Sequence, residues 1–464
     1  MGSSQTFGYT NSYTYTTEKY FSLYANASYT FNKKYTISGS ARTDASNLIT
    51  DDPAYRYAPF WSVGASWNAK GESFLKNVNW LDRLVVRATY GYNGNVDRST
   101  SFKPLLNIST TQNTYIQDYM ATIGSYGNPT LRWEKTGTLD VGVDFSFFNS
   151  KMYGSFDVYT KKGEDLIVSM SIPSINGTTS QKLNAASMSN KGIELTLGSH
   201  MNILSDDITW TGGLTFSYNK NQITSLFKAT YSQSELYNGG TSAYVEGHNA
   251  NTLWSFVYAG VKNLGSETSP LWRPVVEGEN GTYNDLTAWA PGDARNYMED
   301  SGTLVAPYTL GFTSSFKIYD FDLSFIITGK FGHVFRGLSF NYPSMSSGYA
   351  MPNKLYTEVL NADPNEMIPI PFDGEERYYF WDRFYPYMNY LVQKAGHIRF
   401  QEIALSYNIP QQILQKLRIS KASVYAQANN LGIIQNNKYN EDPDYAMGTI
   451  KPTPAFTFGI NLTF

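Results

Sequence analysis

An alternation of apolar and polar residues with a period of two runs through almost the whole chain of 464 residues. Between Tyr20 and Phe31, apolar side chains such as Phe21 and Leu23 occupy every second position, and Ser22 and Asn26 lie between them. Strict alternation over this length indicates a β-strand, because a helix repeats every 3.6 residues. The chain is therefore expected to be all-β.

Twelve further segments show the same alternation, which gives 13 predicted strands of about 8 to 13 residues. Strands of globular proteins peak near 5 to 6 residues, whereas a tilted membrane-spanning strand needs about 9 to 11. The lengths therefore favour an antiparallel transmembrane β-barrel. The twelve segments are Tyr35–Asp44, Phe60–Ala69, Arg83–Tyr92, Leu139–Phe147, Met152–Lys161, Gly192–His200, Ile208–Asn219, Tyr308–Lys317, Phe321–Gly332, Ile398–Ile409, Ala422–Asn429 and Ala455–Phe464.

The two faces of these strands differ in polarity, as a barrel in a bilayer requires. Val141 and Phe145 lie on one face of their strand, and Asp140 and Asp144 lie on the other. A barrel needs an apolar face toward lipid and tolerates a polar face toward its lumen. The hairpin through 148–150 is predicted to place Val141, Phe145, Phe156 and Val158 outward. A soluble β-sandwich also alternates, but its strands are shorter and its connections more even.

The connections between the predicted strands are alternately short and long. Outer-membrane barrels have this arrangement, with short periplasmic turns and long extracellular loops. Residues 220–307 are predicted to be a large extracellular loop insert with strands of its own, such as Leu253–Val261. The short connections are 32–34, 148–150, 201–206 and 318–320, with 71–82 and 410–417 expected to be helical, and the long ones are 45–59, 93–138, 162–191, 220–307, 333–397 and 430–454.

Composition excludes several other classes of protein. No polybasic run is present, which argues against nucleic acid as a partner. No segment approaches the roughly 18 consecutive apolar residues of a membrane helix. Cysteine is absent, so disulfides, thiolate metal sites and cysteine nucleophiles are excluded.

The sequence offers little support for an enzyme. Its four histidines are scattered and form no metal-binding spacing. Asp140, Asp144, Asp157 and Glu194 could be interpreted as acid/base pairs, as in glycosidases, but a polar lumen carries such charges without a reaction. We therefore expect no catalytic residues, no metal and no cofactor.

Five motifs occur in a fixed order along nearly the whole chain. They are Gly-Asn-Pro-Thr-Leu-Arg-Trp-Glu-Lys-Thr at 127–136, the strand 83–95 ending in Tyr-Gly-Tyr-Asn-Gly-Asn, Asn-Lys-Gly-Ile-Glu-Leu at 190–195, the segment 398–410 with Asn-Asn-Leu at 429–431 and Asp442-Pro443, and the final strand 456–464. Together they resemble the SusC/RagA family of TonB-dependent outer-membrane transporters. One departure is Asp444, where the family often has glutamate after proline.

The resemblance implies import of oligosaccharides or peptides, with a SusD-like lipoprotein as a lid over the barrel. It also implies a barrel of about 22 strands, which leaves about nine outside the 13 predicted here. Residues 1–464 are therefore expected to be the C-terminal part of the barrel, pairing with missing N-terminal strands and contacting outer-membrane lipid. A plug domain and a TonB box, through which TonB would act, are expected upstream of this chain. A Gram-negative outer membrane is the implied location.

Aromatic residues in the long loops are the candidate ligand contacts. Flat rings stack on sugar faces, although the same rings could instead pack the loops together or against a partner. A second candidate site is Phe464, because a terminal aromatic is the implied signal to the barrel-assembly machinery. The candidate substrate-binding residues are Trp254, Trp272, Trp289, Tyr378, Tyr379, Trp381 and Tyr385.

Two alternatives to an energy-coupled importer remain open. A passive porin-like or structural barrel would conduct ions by itself and need no upstream sequence. A soluble carbohydrate-binding β-protein would dissolve without detergent.

Overall fold

The dominant element of the computed structural model is one antiparallel sheet of 13 strands. The structure describes residues 17–176, 178, 180–239, 243–263, 265–269, 272–278, 283–285, 292–339, 357, 385–417, 419–445 and 449–464. In spatial order the sheet contains β1 (Tyr20–Phe31), β2 (Tyr35–Ser46), β3 (Ala58–Asn68), β4 (Leu81–Asn95), β7 (Glu134–Phe147), β8 (Met152–Ser171), β9 (Ser180–Ser205), β10 (Ile208–Leu226), β16 (Tyr308–Ile318), β17 (Phe321–Phe331), β20 (His397–Asn408), β21 (Lys421–Gln435) and β22 (Ala455–Thr463).

All 13 predicted strands are confirmed in this sheet, and each pairs with its neighbours in the order of the chain. β1 and β22 lie at the two edges, and no pairing joins them among the described residues. Four strands are much longer than expected: β8 and β9 occupy most of the predicted loop 162–191, β10 continues to Leu226, and β21 continues to Gln435. The expected extents of that loop and of the start of the 220–307 insert are therefore wrong.

The register confirms the predicted hairpin between β7 and β8. Val141 lies opposite Val158, and Val143 lies opposite Phe156, while Asp157 lies opposite Gly142. Because paired residues share a face of a sheet, the valines and Phe156 form one face and the aspartates the other. Val141 and Val158 are 43% and 45% exposed, so the apolar face has no protein layer over it. An uncovered apolar face of this size requires an apolar solvent.

Aromatic rings are concentrated at both ends of the apolar face. At the end with the long connections, the loop end, Trp61 packs on Tyr90 and Tyr92, and Tyr218 stacks on Tyr308 with centroids 4.8 Å apart. At the end with the short connections, the turn end, rings also meet, including the Trp80–Phe147 and Phe321–Tyr407 pairs. Two aromatic girdles around an apolar band are typical of membrane-spanning barrels.

The turn end is closed by tight turns and short helices. Asn32 and Lys33 both have left-handed φ angles, 51° and 57°, in the three-residue turn 32–34, where the Lys34 backbone N–H donates to the Phe31 carbonyl at 3.0 Å. The two connections expected to be helical are confirmed in part, as α2 (Ser73–Lys76) and α4 (Gln411–Leu417), while α1 (Pro53–Arg56) and α3 (Gln233–Asn238) lie in loops. Within the described ranges, no helix is long and apolar enough to cross a membrane.

Smaller sheets form in the long loops. The predicted strand Leu253–Val261 is confirmed as two strands that separate at Val257, β11 (Thr252–Phe256) and β12 (Tyr258–Asn263). A hairpin within 93–138 was not predicted, and it consists of β5 (Leu105–Gln112) and β6 (Tyr119–Ser125). The remaining loop strands are β13 (Trp272–Glu277), β14 (Tyr283–Asp285), β15 (Met298–Thr303), β18 (Val334–Arg336) and β19 (Val392–Lys394), with pairs β11–β15, β12–β13–β14 and β18–β19.

Candidate functional site

The motif segment 127–136 forms a buried anchor at the loop end, which we call the motif anchor. Leu131 is fully buried, and Trp133 is 6% exposed with its ring 5.8 Å from that of Phe60. The Trp133 indole N–H donates to the backbone carbonyl of Arg56 at 3.2 Å. Ile49 and Ala58 complete the buried cluster. The anchor therefore joins two extracellular connections, 47–57 and 96–133, to the sheet.

Polar contacts fix the motif anchor to the extension of β8 and β9. The Asn184 side-chain amide donates to the carbonyl oxygens of Arg132 and Asp165, and its oxygen accepts from the Arg132 backbone N–H. The Arg132 guanidinium lies 2.6 Å from the Asp165 carboxylate, and the Glu134 carboxylate accepts from the Ile167 backbone N–H. Most of the motif's polar side chains therefore satisfy backbone and charged groups within the loops.

The opposite, polar face of the sheet carries a cluster of charges around Arg87. Its guanidinium lies 2.5 Å from Asp157, 3.3 Å from Asp144 and 3.4 Å from Asp140. Glu194 lies directly opposite Asp157 in the ladder between β8 and β9. Three of the four carboxylates suggested as acid/base candidates, Asp140, Asp144 and Asp157, thus share one guanidinium, and this arrangement supports ion pairing rather than proton transfer. The sequence did not reveal Arg87 as their partner.

Two of the predicted ligand contacts lie together in the loop core. Trp254 is 3% exposed in β11, and Tyr385 is fully buried with its ring against that of Tyr258. The Arg336 guanidinium joins the same core, donating to the Trp254 carbonyl at 2.6 Å and to the Ser255 hydroxyl at 3.0 Å. In this structure both aromatic side chains pack the loops, so a ligand role for them stays a prediction.

Arg336 is an unusual member of this core, and sequence reasoning missed it. Its charge faces the ring of Tyr387 at 5.3 Å, and among the described residues no carboxylate pairs with it. Burial lowers the pKa of Arg336 to about 10, because desolvation disfavours the charged form. The guanidinium still remains charged at neutral pH and fixes the carbonyl of β11 beside β18.

The other predicted site residues are only partly placed. The backbone of Trp272 lies in β13. Trp289, Tyr378, Tyr379 and Trp381 lie outside the described residues. Phe464 follows β22 and is 84% exposed at the turn end. No group of histidine, aspartate and glutamate among the described residues is arranged to hold a metal ion.

The segments around Arg399 and Asp442 meet in a charged cluster at the loop end of β17 and β20, which we call the loop clasp. The Arg399 guanidinium contacts Asp442 at 2.6 Å and Asp444 at 3.1 Å. Lys330 also reaches Asp444 at 2.7 Å. The His397 ring lies between the Ala395 carbonyl, 2.8 Å away, and the Asp444 carboxylate, 3.2 Å away. The clasp therefore holds residues 436–445 against the sheet.

Acidification should loosen the loop clasp through His333. This buried ring lies 6.0 Å from that of His397, near Lys330 and Asp444, and burial with the neighbouring His397 holds the pKa of His333 below its usual 6.5. A lowered pKa means that stability is present above pH 6.5 and is lost as the pH falls through the folded-state value. We expect faster amide exchange of residues 332–337 and 394–397 at pH 5.5 than at pH 7.5, after correction for intrinsic rates.

A His333→Gln variant, which cannot gain a proton, is the control for this pH effect. The pKa of Asp444 shifts for other reasons. Desolvation raises it, but the bond from Lys330 and the nearby charges dominate and hold it below 3.8. Asp444 therefore contributes only in a more acidic window. An equal pH response in the variant and the parent would show that His333 is not the responsible group.

These features define an outer-membrane β-barrel of the transporter type: long antiparallel strands, an uncovered apolar face between aromatic girdles, and long packed loops at one end only. Comparison with known proteins agrees. Residues 2–361 match the family described as TonB dependent receptor-like, beta-barrel. The chain belongs to this family, whose members are located in the outer membrane of Gram-negative bacteria.

Curated relatives place the chain near SusC within that family. It is 28% identical to the TonB-dependent receptor P26 of Formosa agariphila, and the match covers 96% of the chain and 46% of the relative. It is 26% identical to the TonB-dependent receptor SusC of Bacteroides thetaiotaomicron, covering 96% of the chain and 43% of SusC. The chain thus spans slightly less than half the length of these relatives.

Solved structures show the same fold. The RagAB peptide transporter matches with a TM-score of 0.74 and 22% identity, over 96% of this chain and 47% of the matched chain. The RagAB peptide importer in its open-open state matches with a TM-score of 0.72 and 23% identity, over 96% of this chain and 47% of the matched chain. The homologues are transporters and receptors rather than enzymes.

Proposed function

We propose that this chain forms the C-terminal part of the barrel of an energy-coupled importer of oligosaccharides or peptides. The observation that carries the proposal is the match of 96% of the chain both to SusC and to the RagAB fold. A chain that spans less than half of these relatives, with edge strands β1 and β22 that each have one partner among the described residues, suits a barrel completed by further strands of the same protein. About nine strands would complete a barrel of about 22.

The polar face suits the wall of a transport lumen. Arg83 and Arg87 oppose four carboxylates, Asp140, Asp144, Asp157 and Glu194, which leaves a net negative charge there. Such a wall is hydrated and would favour neutral sugars or cationic peptides over polyanions. Exposed lumen charges tune selectivity more than stability.

Dependence of uptake on TonB separates the importer from a passive barrel. The full-length transporter would be expressed in a host that lacks other transporters of the same family, and accumulation of fluorescent oligosaccharides and peptides would be measured. We expect accumulation to stop when the tonB gene is deleted or a protonophore is added. Uptake of a small porin-permeant solute serves as the control. Accumulation that continues without TonB would support the passive alternative.

We propose further that a SusD-like lipoprotein covers the loop end, and that the hairpin β5–β6 contacts it. This hairpin presents apolar side chains to solvent: Tyr115 is 96% exposed, and Ile108 and Ile116 are also exposed. Exposed apolar patches beside polar rims are typical of protein contact sites. A photo-crosslinking residue at position 115 should capture the lipoprotein, and the same residue at Lys33 in the turn end should not.

Phe464 is the proposed signal for barrel assembly. Among the described residues β22 pairs with β21 alone, so its other edge is open there, and its apolar residues Phe456, Phe458 and Ile460 are exposed on one face. An open edge strand can add to the sheet of another protein, with pockets reading alternate side chains. Deletion of Phe464 from the full-length transporter should lower the amount inserted in the outer membrane while synthesis stays unchanged. Equal membrane levels would assign Phe464 to packing alone.

A further inference from the structure

A groove of about 380 Å³ opens on the apolar face near the loop end, across β7, β8, β9 and β10. Leu139, Val141, Val158 and Ile193 line it with apolar groups, and Tyr218 contributes a ring. The groove is too apolar to hold water stably, so in a bilayer a hydrocarbon chain is the occupant that fits its chemistry.

A lysine side chain, that of Lys191, lies at the mouth of this groove. Lys191 lines the groove itself, and in the ladder between β9 and β10 it lies directly opposite Lys220. Both lysines are exposed, and among the described residues neither is paired with a carboxylate. Like charges directly opposite each other across two strands are destabilising. An anion between the two ammonium groups would remove this repulsion.

The surrounding charges on the same face reinforce the attraction for an anion. Lys135 and Lys162 lie on β7 and β8 just above the groove, and Glu164 neutralises only one of them, through its contact with Lys162 at 2.7 Å. Four lysines against one glutamate give this patch a net charge of +3. The patch therefore has the electrostatic character of a binding site for an anionic headgroup.

The distance of the patch from the turn-end girdle, measured along the strands, places the patch at the membrane boundary. Leu139 shares its ladder row with Thr160 and Lys191, and eight residues separate it from Phe147 at the turn-end girdle. Eight strand residues span about 27 Å, or about 20 Å along a barrel whose strands are tilted by about 40°. The apolar band of such a barrel is about 25 Å tall. Lys191 and Lys220 thus lie where lipid headgroups begin, beside Tyr218 and Tyr308.

We propose that this groove is a specific site for an acylated, phosphorylated lipid of the outer leaflet. Lys191 and Lys220 would bind its phosphate, and the groove between Val141, Val158 and Ile193 would hold an acyl chain. The proposal concerns the outer surface of the barrel and does not depend on which nutrient passes through the lumen, so the transport and lipid hypotheses can fail separately.

Lipid binding to the purified full-length transporter tests the site. Delipidated protein in dodecyl maltoside would be titrated with lipid A and with its dephosphorylated form, and bound lipid would be counted by native mass spectrometry. The double variant Lys191→Gln/Lys220→Gln should bind lipid A about 30-fold more weakly, because each lysine near an anionic headgroup contributes about 1 kcal/mol and 1.4 kcal/mol corresponds to tenfold. Dephosphorylated lipid A should bind the unaltered protein about as weakly as lipid A binds the variant.

Lys161→Gln provides the matched control. Lys161 lies on β8 beside the groove but on the opposite face, with its ammonium 4.7 Å from the ring of Tyr159. Its replacement should leave lipid binding unchanged. If the double variant is poorly folded, judged by its melting temperature without lipid, Lys220→Gln alone should weaken binding about fivefold.

Three outcomes would overturn the proposal. Equal affinity of the double variant and the parent would remove the lysines from the site. Equal binding of phosphorylated and dephosphorylated lipid would reduce the groove to general lipid contact. Competition by inorganic phosphate at the affinity of lipid A would show an anion site without acyl recognition.

Discussion

Replacement of Trp133 by alanine should detach the motif anchor from the sheet. Truncating a buried tryptophan typically costs about 3–5 kcal/mol, through lost burial and the cavity that remains. Trp133 is 6% exposed, packs edge-on against Phe60 and donates to the Arg56 carbonyl. The free energy that opens a surface loop is usually smaller than this loss of about 3–5 kcal/mol. We therefore expect the amides of 128–133 to lose most of their protection from hydrogen exchange.

Two variants separate the ring from its hydrogen bond and from general effects on the loop. Trp133→Phe keeps an aromatic ring but loses the bond to Arg56, which should cost about 1 kcal/mol plus a small cavity term. Tyr57→Ala removes a ring that is 52% exposed in the connection 47–57, next to Arg56, and should leave amide exchange at 128–133 nearly unchanged. Comparable exchange in Trp133→Ala and the parent would show that the anchor is held by its polar contacts instead.

The period of two predicted every strand of the main sheet but not the full length of several, above all β8, β9, β10 and β21. Within the bilayer one face meets lipid and the other the lumen, so polarity alternates. Beyond the membrane both faces of β8, β9 and β10 meet water or other loops, so polar and apolar residues need not alternate there. Lys162, Asp165 and Ser189 therefore have the composition of a loop, although they lie in continuous strands.

Composition could identify the aromatic side chains of the loops but not their surroundings. A tryptophan that stacks on a ligand and one that packs a core are the same residue in sequence. Trp254 is identified as a core residue by its burial, its pairing with Asp300 of β15 and the Arg336 guanidinium of β18 on its carbonyl. The ion pairs could not be predicted from the sequence either. Arg399 and Asp442 are 43 residues apart in the sequence, and the pairing of β20 with β21 brings the connection after β21 back to Arg399.

The loop clasp should depend on Arg399 as strongly as the motif anchor depends on Trp133. In Arg399→Met, the carboxylate of Asp442 loses the one cationic contact that it has among the described residues and remains buried, whereas Asp444 keeps Lys330 and His397. Leaving one member of a buried pair uncompensated typically costs about 3–5 kcal/mol. We therefore expect residues 436–445 to detach from the sheet, seen as fast amide exchange and as new protease cleavage there in the otherwise intact barrel.

The double variant Arg399→Met/Asp442→Leu should recover much of this loss, because replacing both members of a buried ion pair by apolar residues is often nearly neutral. Lys438→Ala is the matched control: its ammonium lies on the exposed side of the same connection, 3.2 Å from the Tyr390 hydroxyl, and an exposed contact contributes at most about 1 kcal/mol. If the double variant were as open as Arg399→Met, the two side chains would not be energetically coupled. Recovery in the double variant would instead show that the clasp holds its loop through the compensation of one buried charge by another.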